Sequence, residues 1–270
     1  MKPLNIVVCI KPVPNSRYWD RLRLDPVTKT LRREGIPIII SPLDTNAIEE
    51  ALRIKKARGG KVTVISMGPE NTVEVLAWAF ALGVDDAVLL TDRAFAGADT
   101  WATAYALASG IRKIGEFDLV LLGNESLDGS TGQVGPQVAE FLDIPHVTNV
   151  EKIDFVDDDT LHIRSKIEFG YMLIETGLPV TLAVTKDINE PRIPSVFGAL
   201  WATEKETKKW SADDVGVDKT KIGLDGSPTY VPEVSNIELQ RRGEVLQGEP
   251  VQIARQLVEK LRADGVLPEA

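Results

Sequence analysis

Four short runs that are almost wholly apolar, each followed by a stretch of helical spacing, limit what this chain can fold into. The runs are residues 6–10, 62–66, 86–90 and 118–122. After the first comes 44–58, where Ala47, Ile48, Ala51, Leu52 and Ile54 recur at helical intervals. A helix opening at Gly68-Pro69-Glu70 and ending at Leu82, one over 99–114 and one over 131–142 follow the others. A strand that is apolar at successive positions is buried on both faces, and joining such strands through helices covers both faces. The pattern predicts an α/β fold with a doubly wound, mostly parallel sheet. Ligands of such sheets sit outside the carboxyl ends of the strands.

From residue 148 the texture changes. Residues 150–156, 161–166 and 171–176 alternate apolar and polar, with an acidic turn at Asp157-Asp158-Asp159, and predict an added antiparallel meander; 179–185 returns to a buried strand. Residues 22–31 predict a small hairpin around Asp25-Pro26. The organisation expected is a core over 1–186, a loop over 187–210 with a short helix at 196–203, and a C-terminal arm over 211–270. Lys205, Lys208 and Lys209 form a basic patch beside Trp210. The arm closes with an amphipathic helix over 248–262, with Val251, Ala254, Leu257, Val258 and Leu261 on one face. A long arm without a core of its own is expected to dock on another chain or domain.

Composition narrows the chemistry. In 270 residues, 43% apolar and 26% charged content mark a folded chain, and a net charge of −9 argues against nucleic acid as partner. Cys9 is the single cysteine, and His146 and His162 are the only histidines. Neither a disulfide nor a zinc or iron site is expected from that set, and a reducing compartment is. The longest apolar stretch, 73–84, contains Glu74 and is too short to span a bilayer, and no signal-peptide pattern is apparent. A cytoplasmic protein, or one of the mitochondrial matrix, is therefore expected, without membrane insertion. GxxxxGK[ST], GxGxxG after the first strand, GxSxG and HExxH are all missing. No catalytic residue is expected; the pattern is that of a binder whose chemistry its cofactor supplies.

The stretch 123–136 holds the most specific local signal. Gly129, Gly132 and Gly135, with Ser130 and Thr131, lie between a buried strand and a helix, where free N–H groups and the helix dipole suit a phosphate. The same residues also make an ordinary strand-to-helix crossover, and spacing does not separate the two. Loops at 41–46, 66–69 and 96–100 read singly as helix caps; on one sheet edge, together with 123–136, they would cradle a nucleotide.

Several of these motifs, in order, resemble the electron transfer flavoprotein β subunits. They are Val7-Val8-Cys9-Ile10-Lys11-Pro12-Val13-Pro14, the run from Ser41-Pro42-Leu43-Asp44-Thr45-Asn46 to Ala51, Ser66-Met67-Gly68-Pro69, residues 121–136, and Asn189-Glu190-Pro191-Arg192. The likeness covers essentially the whole chain. It implies a subunit paired with a larger, flavin-carrying α subunit, together taking electrons from a flavin-containing dehydrogenase and passing them on through FAD. Members that hold AMP structurally usually show Asp-Asn-Asp or Asp-Asp-Asp continuing with Asn-Gln. Here Asp128-Gly129-Ser130-Thr131-Gly132-Gln133-Val134-Gly135-Pro136 is similar instead to the branch with a second FAD in the β subunit. That branch handles NADH and includes flavin-based bifurcating members; residues 224–229 are similar to it too. FAD with NADH as substrate is thus the expectation, and AMP the alternative. A third reading is an adenine-nucleotide-binding regulator of the universal-stress type, which would form homodimers.

The resemblance carries the nucleotide onto Cys9, Ser41, Pro42, Leu43, Asp44 and Met67, and onto the loop Gly123, Asn124, Glu125, Ser126, Leu127, Asp128, Gly129, Ser130, Thr131, Gly132, Gln133 and Val134. Phosphates are expected at Ser130, Thr131, Gln133 and Val134, with Asp99 and Thr100 near the flavin. Residues 187–210 stand as the partner-recognition loop, with Val196 at the hydrophobic anchor. Lys166 stands where some members carry a glutamate used in docking.

Overall fold

The structure, a computed structural model, describes residues 2–21, 23–24, 31–32, 35–231 and 243–268. They fall into two compact units, Met1–Glu233 and Val234–Ala270.

The first unit is built on a nine-stranded sheet. Its strands are β1 (Leu4–Cys9), β2 (Gly60–Met67), β3 (Asp86–Leu90), β4 (Leu119–Gly123), β5 (His146–Phe155), β6 (Thr160–Ile167), β7 (Gly170–Gly177), β8 (Val180–Val184) and β9 (Lys208–Trp210). Across the sheet the order is β7-β6-β5-β8-β4-β1-β2-β3-β9. Every pairing from β5 to β9 is parallel; β5–β6 and β6–β7 are antiparallel. The doubly wound parallel sheet and its added meander are therefore present as expected.

Burial follows from helices on both faces. Val8, Ile6 and Leu4 point into a core shared with α1 (Pro42–Arg58) and α2 (Val73–Leu82), while Val7 and Cys9 point the other way, toward α3 (Thr100–Ile114) and α4 (Val134–Leu142). Strands β4 and β8 are buried at every position, which explains their unbroken apolar sequence. Helix α4 begins three residues later than its predicted start because Ser130 (φ 46°) and Gly132 (φ 64°) are left-handed, a conformation no helix interior accepts. Strand β5 begins at His146 rather than Val150 because its first residues pair in parallel with β8 before it turns into the meander.

Sequence reading missed a two-stranded ribbon that pairs Pro12–Pro14 with Ile38–Ile40, and the edge strand β9. Its three residues are too short for any periodicity, and its lysines read as a surface patch. Lys208 pairs with Asp86 at 3.2 Å, and Lys209 pairs with Glu70. Two further helices follow the ninth-strand region's neighbours in sequence: α5 (Val196–Thr203) before it, and the single turn α6 (Ala212–Val215) after it. The stretch from 211 to 231, expected as the start of the arm, lies in the first unit: Ala212, Val217 and Ile222 are buried, and Leu224 N donates to the Ala96 carbonyl at 3.0 Å. Of the expected 22–31 hairpin, Arg23–Leu24 pairs with Leu31–Arg32, and the Asp25-Pro26 turn lies outside the described residues.

In the second unit, α7 (Pro250–Ala263) opens with proline in its first turn and carries the apolar stripe read from the sequence; none of its residues is buried.

Helix α5 lies against α2 through Gly198, where a Cβ would stand 2.3 Å from the Ala81 carbonyl oxygen, a backbone atom that cannot step aside. Gly198→Ala is expected to cost about 1–3 kcal/mol locally. Hydrogen exchange should show lost protection over 196–203 with the sheet unchanged; unchanged protection of α5 would show that this contact does not seat it.

Candidate functional site

The parallel strands β1, β2, β3 and β4 end on one edge of the sheet, and the loops that leave them are tied together by one side chain. Asp44, in the first turn of α1, accepts from Lys11 N with Oδ2 and from Gly123 N with Oδ1, both at 2.8 Å. One carboxylate thus joins the exits of β1 and β4. Gly123 must be glycine: a Cβ would stand 2.6 Å from Asp44 Oδ1 and 2.9 Å from Asp44 N. Burial pushes the Asp44 carboxyl up to about 7, against the opposing pull of the two N–H groups and the Lys11 charge. Beneath it Cys9 is buried, and burial, with Asp44 nearby, pushes its thiol up to about 12. It is a packed side chain, not a nucleophile.

The glycine loop folds around Ser126. Its carbonyl accepts from Ser130 N at 2.9 Å and Ser130 Oγ at 3.2 Å; its Oγ accepts from Gly129 N at 3.3 Å and from Lys11 Nζ at 3.2 Å. Lys11 Nζ also pairs with Asp128 Oδ1 at 2.5 Å. The loop's far side is fixed by Asn124, whose N donates to the Val184 carbonyl and whose Oδ1 accepts from Asn149 N, both at 2.9 Å. Helix α4 starts without a side-chain cap, so the N–H groups of its first turn have no partner within the helix and remain available. Across from it, Asp99 caps α3 by accepting from Ala102 N at 3.0 Å, and Thr100 Oγ1 donates to Gln133 Oε1 at 3.2 Å. Asp99 also accepts from Thr229 N at 3.0 Å and Thr229 Oγ1 at 2.7 Å. Burial opposes the charge on Asp99, but these hydrogen bonds hold its carboxyl below the usual range.

These loops enclose a cleft of about 930 Å³. Fourteen of the residues carried over by resemblance line it: Cys9, Asp44, Met67, Asp99, Thr100, Gly123, Asn124, Glu125, Ser126, Gly129, Thr131, Gly132, Gln133 and Val134. Six others do not line it. Ser41 is fully buried and its Oγ accepts from Leu127 N at 3.3 Å. Pro42 opens α1, Leu43 packs against Gly123, Asp128 holds Lys11, and Ser130 folds back on Ser126. Sequence reasoning missed Lys11, Glu70, Thr91, Asp92, Arg93 and Phe95 as lining. Lys11 stands two residues past Cys9 in a motif already singled out, and Thr91 to Phe95 leave a strand's carboxyl end, where ligands of such sheets gather.

The lining carries Asp44, Glu70, Asp92, Asp99 and Glu125 against Lys11 and Arg93. With acids in excess, an anionic ligand must be held by main-chain N–H groups, hydroxyls and those two cations. The donor set fits the phosphates of a nucleotide: the Thr131 hydroxyl, left-handed turns at Ser130 and Gly132, and the uncapped N–H groups of Val134 and Gly135 at the start of α4. Among the described residues no group of three or more His, Cys, Asp or Glu could hold a metal ion.

The loop after β8 is clasped to α1. Asn46 Nδ2 donates to the Asn189 carbonyl at 2.9 Å, and Arg192 Nε pairs with Glu49 Oε2 at 2.6 Å. Beyond this clasp Ile193, Val196, Phe197 and Leu200 are exposed; Val196, the expected anchor, is 77% exposed at the start of α5. Lys166 pairs with Asp187 at 2.6 Å.

A doubly wound α/β chain whose loops converge with an uncapped helix start at one sheet edge is the class these features define. Residues 28–215 match the family model described as the electron transfer flavoprotein domain, and the chain belongs to the electron transfer flavoprotein family. It is 49% identical, over 97% of its own length and 99% of the relative, to the electron transfer flavoprotein subunit beta of Clostridium acetobutylicum. It is 41% identical, over 98% and 100%, to the Caffeyl-CoA reductase-Etf complex subunit CarD of Acetobacterium woodii. Over 86% of this chain and 84% of the relative it is 44% identical to Protein FixA of Azorhizobium caulinodans. Membership supports an electron-transfer role and association with a flavin or nucleotide. No helix among the described residues is long and apolar enough to cross a membrane.

Asp44 gives a test with a definite sign. The folded chain keeps the Asp44 proton to about pH 7, while the unfolded chain releases it near the ordinary aspartate value of 3.8. Between those values folding takes up a proton, so this contribution to stability is full below about 4 and is lost as pH rises through about 7. Asp44→Asn removes the titration and one of the two acceptors, at a cost of about 1–3 kcal/mol near neutrality. The wild-type advantage over Asp44→Asn should shrink between pH 4 and 7 in chemical denaturation. An advantage that is constant, or grows, contradicts the assignment.

Proposed function

We propose that this chain is the β subunit of a heterodimeric electron transfer flavoprotein, paired with an α subunit, that holds FAD in the cleft at the carboxyl ends of β1 to β4. Its task is to carry electrons between a flavin-containing dehydrogenase, acyl-CoA or related, and NAD(H) or another carrier in the cytoplasm. The observation that carries the FAD reading is the loop from Asp128 to Val134. Between Asp128 and Gln133 it offers Gly129, Ser130, Thr131 and Gly132 but no further carboxylate, so a diphosphate can approach without charge repulsion. The cleft, at about 930 Å³, lies at the upper end of the range of roughly 300–1,000 Å³ for small-molecule sites, which favours a dinucleotide over AMP.

When bound, FAD supplies the redox chemistry, for which this chain offers no catalytic group of its own. The chain's residues do the holding: Asp44 fixes the exits of β1 and β4, the first turn of α4 and Thr131 meet phosphate, and Asp99 fixes the start of α3. Exposed Val196 and its apolar neighbours form the surface offered to the dehydrogenase.

Nucleotide released from the purified complex and counted per heterodimer tests the reading. Two FAD and no AMP are expected; one FAD and one AMP would make the cleft a structural AMP site. A homodimer without flavin would return the chain to the regulator reading. NADH titration of the two-FAD complex then reads whether its flavins reduce in separate steps, as bifurcation requires.

Val196→Ala removes most of an exposed apolar side chain at the docking surface, a change worth about 1 kcal/mol or roughly fivefold in affinity. The rate of electron transfer from the dehydrogenase at sub-saturating concentration should fall accordingly, with the visible spectrum unchanged. An unchanged rate removes the anchor role.

A further inference from the structure

Lys11 is placed to do more than brace the loop. Its main chain is fixed from both sides, N by Asp44 Oδ2 at 2.8 Å and the carbonyl by Ser41 N at 3.0 Å. Its side chain therefore leaves a rigid base and reaches the glycine loop. There the ammonium meets two partners, Ser126 Oγ at 3.2 Å and Asp128 Oδ1 at 2.5 Å. An ammonium has three donors, so one remains. The Lys11 side chain is 47% exposed and lines the cleft, while the Asp128 side chain is 16% exposed and does not line it. The lysine is thus backed by one carboxylate and open toward the cleft.

Gly129 decides how open it stays. A Cβ at 129 would lie 3.6 Å from Lys11 Nζ and 3.2 Å from Ser126 Oγ. A carboxylate there would reach the same ammonium, take its remaining donor and add one more negative charge to a cleft already rich in acids.

We propose that Lys11 is the cation that binds phosphate at the glycine loop, and that Gly129, by keeping a second carboxylate away from it, favours a ligand carrying a diphosphate over one carrying a monophosphate. This rests on the adenine-nucleotide reading of the cleft. Because acids outnumber cations around the ligand, each added phosphate charge needs a donor with an N–H or O–H still to give. The N–H groups of α4 serve one phosphate; Lys11 makes a second acceptable.

A ladder of ligands that differ only in phosphate number tests this. Adenosine, AMP and ADP are titrated calorimetrically into the nucleotide-depleted complex of the full-length chain with its partner subunit. For Lys11→Gln, ADP affinity should fall roughly tenfold, the scale of one charge-assisted contact, AMP affinity by less, and adenosine affinity should hold. Lys11→Arg should restore most of the ADP affinity. Gly129→Asp should reproduce the pattern, and the double variant should add little to either single one, because both remove the same contact. An equal loss for all three ligands would make Lys11 a structural brace and overturn the proposal. Additive losses in the double variant would overturn the role of Gly129. A wild-type complex that binds none of the three would overturn the nucleotide reading itself, and the assignment of Lys11 with it.

Discussion

The carboxylate of Asp44 is the interaction on which the ligand edge of this fold depends. Strands β1 and β4 are neighbours, and their loops leave in different directions, β1 toward the ribbon near Pro12 and β4 into the glycine loop. Only a short acceptor rising from the start of α1 can satisfy the N–H groups of Lys11 and Gly123 at once. A neutral hydroxyl would span less, and a glutamate would overshoot a pair already at 2.8 Å on each oxygen. The cost is a carboxyl held where water is scarce, and its raised pKa records that cost. What is gained is a fixed origin: Lys11, Gly123 and Ser41 are all positioned relative to this group, and Ser41 in turn holds Leu127.

If the cleft holds a nucleotide as proposed, it recognises an anion by unusual means. Its lining is acidic, as the chain is overall, so long-range attraction does not bring a phosphate in. On that reading short-range donors do the work: main-chain N–H groups at the start of α4, a threonine hydroxyl, and the N–H that Lys11 keeps after pairing with Asp128 and Ser126. Specificity in such a site comes from geometry and from rejection. An extra carboxylate in the loop changes which ligands are tolerated more than an extra contact would.

Much of this was legible in the sequence. The unbroken apolar runs of β4 and β8 and the helical spacing of Ala47, Ile48, Ala51 and Leu52 encode burial on two faces, and burial is what a sequence states most directly. The loops of the site were legible as a set because each leaves a strand at the same edge. Side chains facing the cleft could not be told from those that brace its loops: Ser41 and Leu127 sit beside lining residues in sequence, yet Ser41 is buried and accepts from Leu127 N. The start of α4 was misplaced because Gly132, inside the expected helix, is left-handed, and a single glycine between apolar positions does not by itself mark a helix boundary. Strand β9 escaped because three residues carry no period, and its lysines answer to acids, Asp86 and Glu70, that are more than a hundred positions away.

The apolar residues of α5 raise a different question, since Val196, Phe197 and Leu200 face solvent on a helix that has no buried residue. An isolated eight-residue helix is unstable in water, so its shape must be imposed. Here three constraints impose it. Ser195 Oγ accepts from Gly198 N at 3.0 Å, Gly198 allows the helix to lie directly on α2, and the clasp of Arg192 to Glu49 fixes the chain just before it. The anchoring thus uses polar and small residues, leaving the large apolar ones unspent. A loop that kept its own shape by burying Val196 and Phe197 would have nothing left to offer a partner. Holding the helix by caps, a glycine contact and an ion pair separates the energy that orders the surface from the energy that binds with it, so the surface is ordered before a partner arrives.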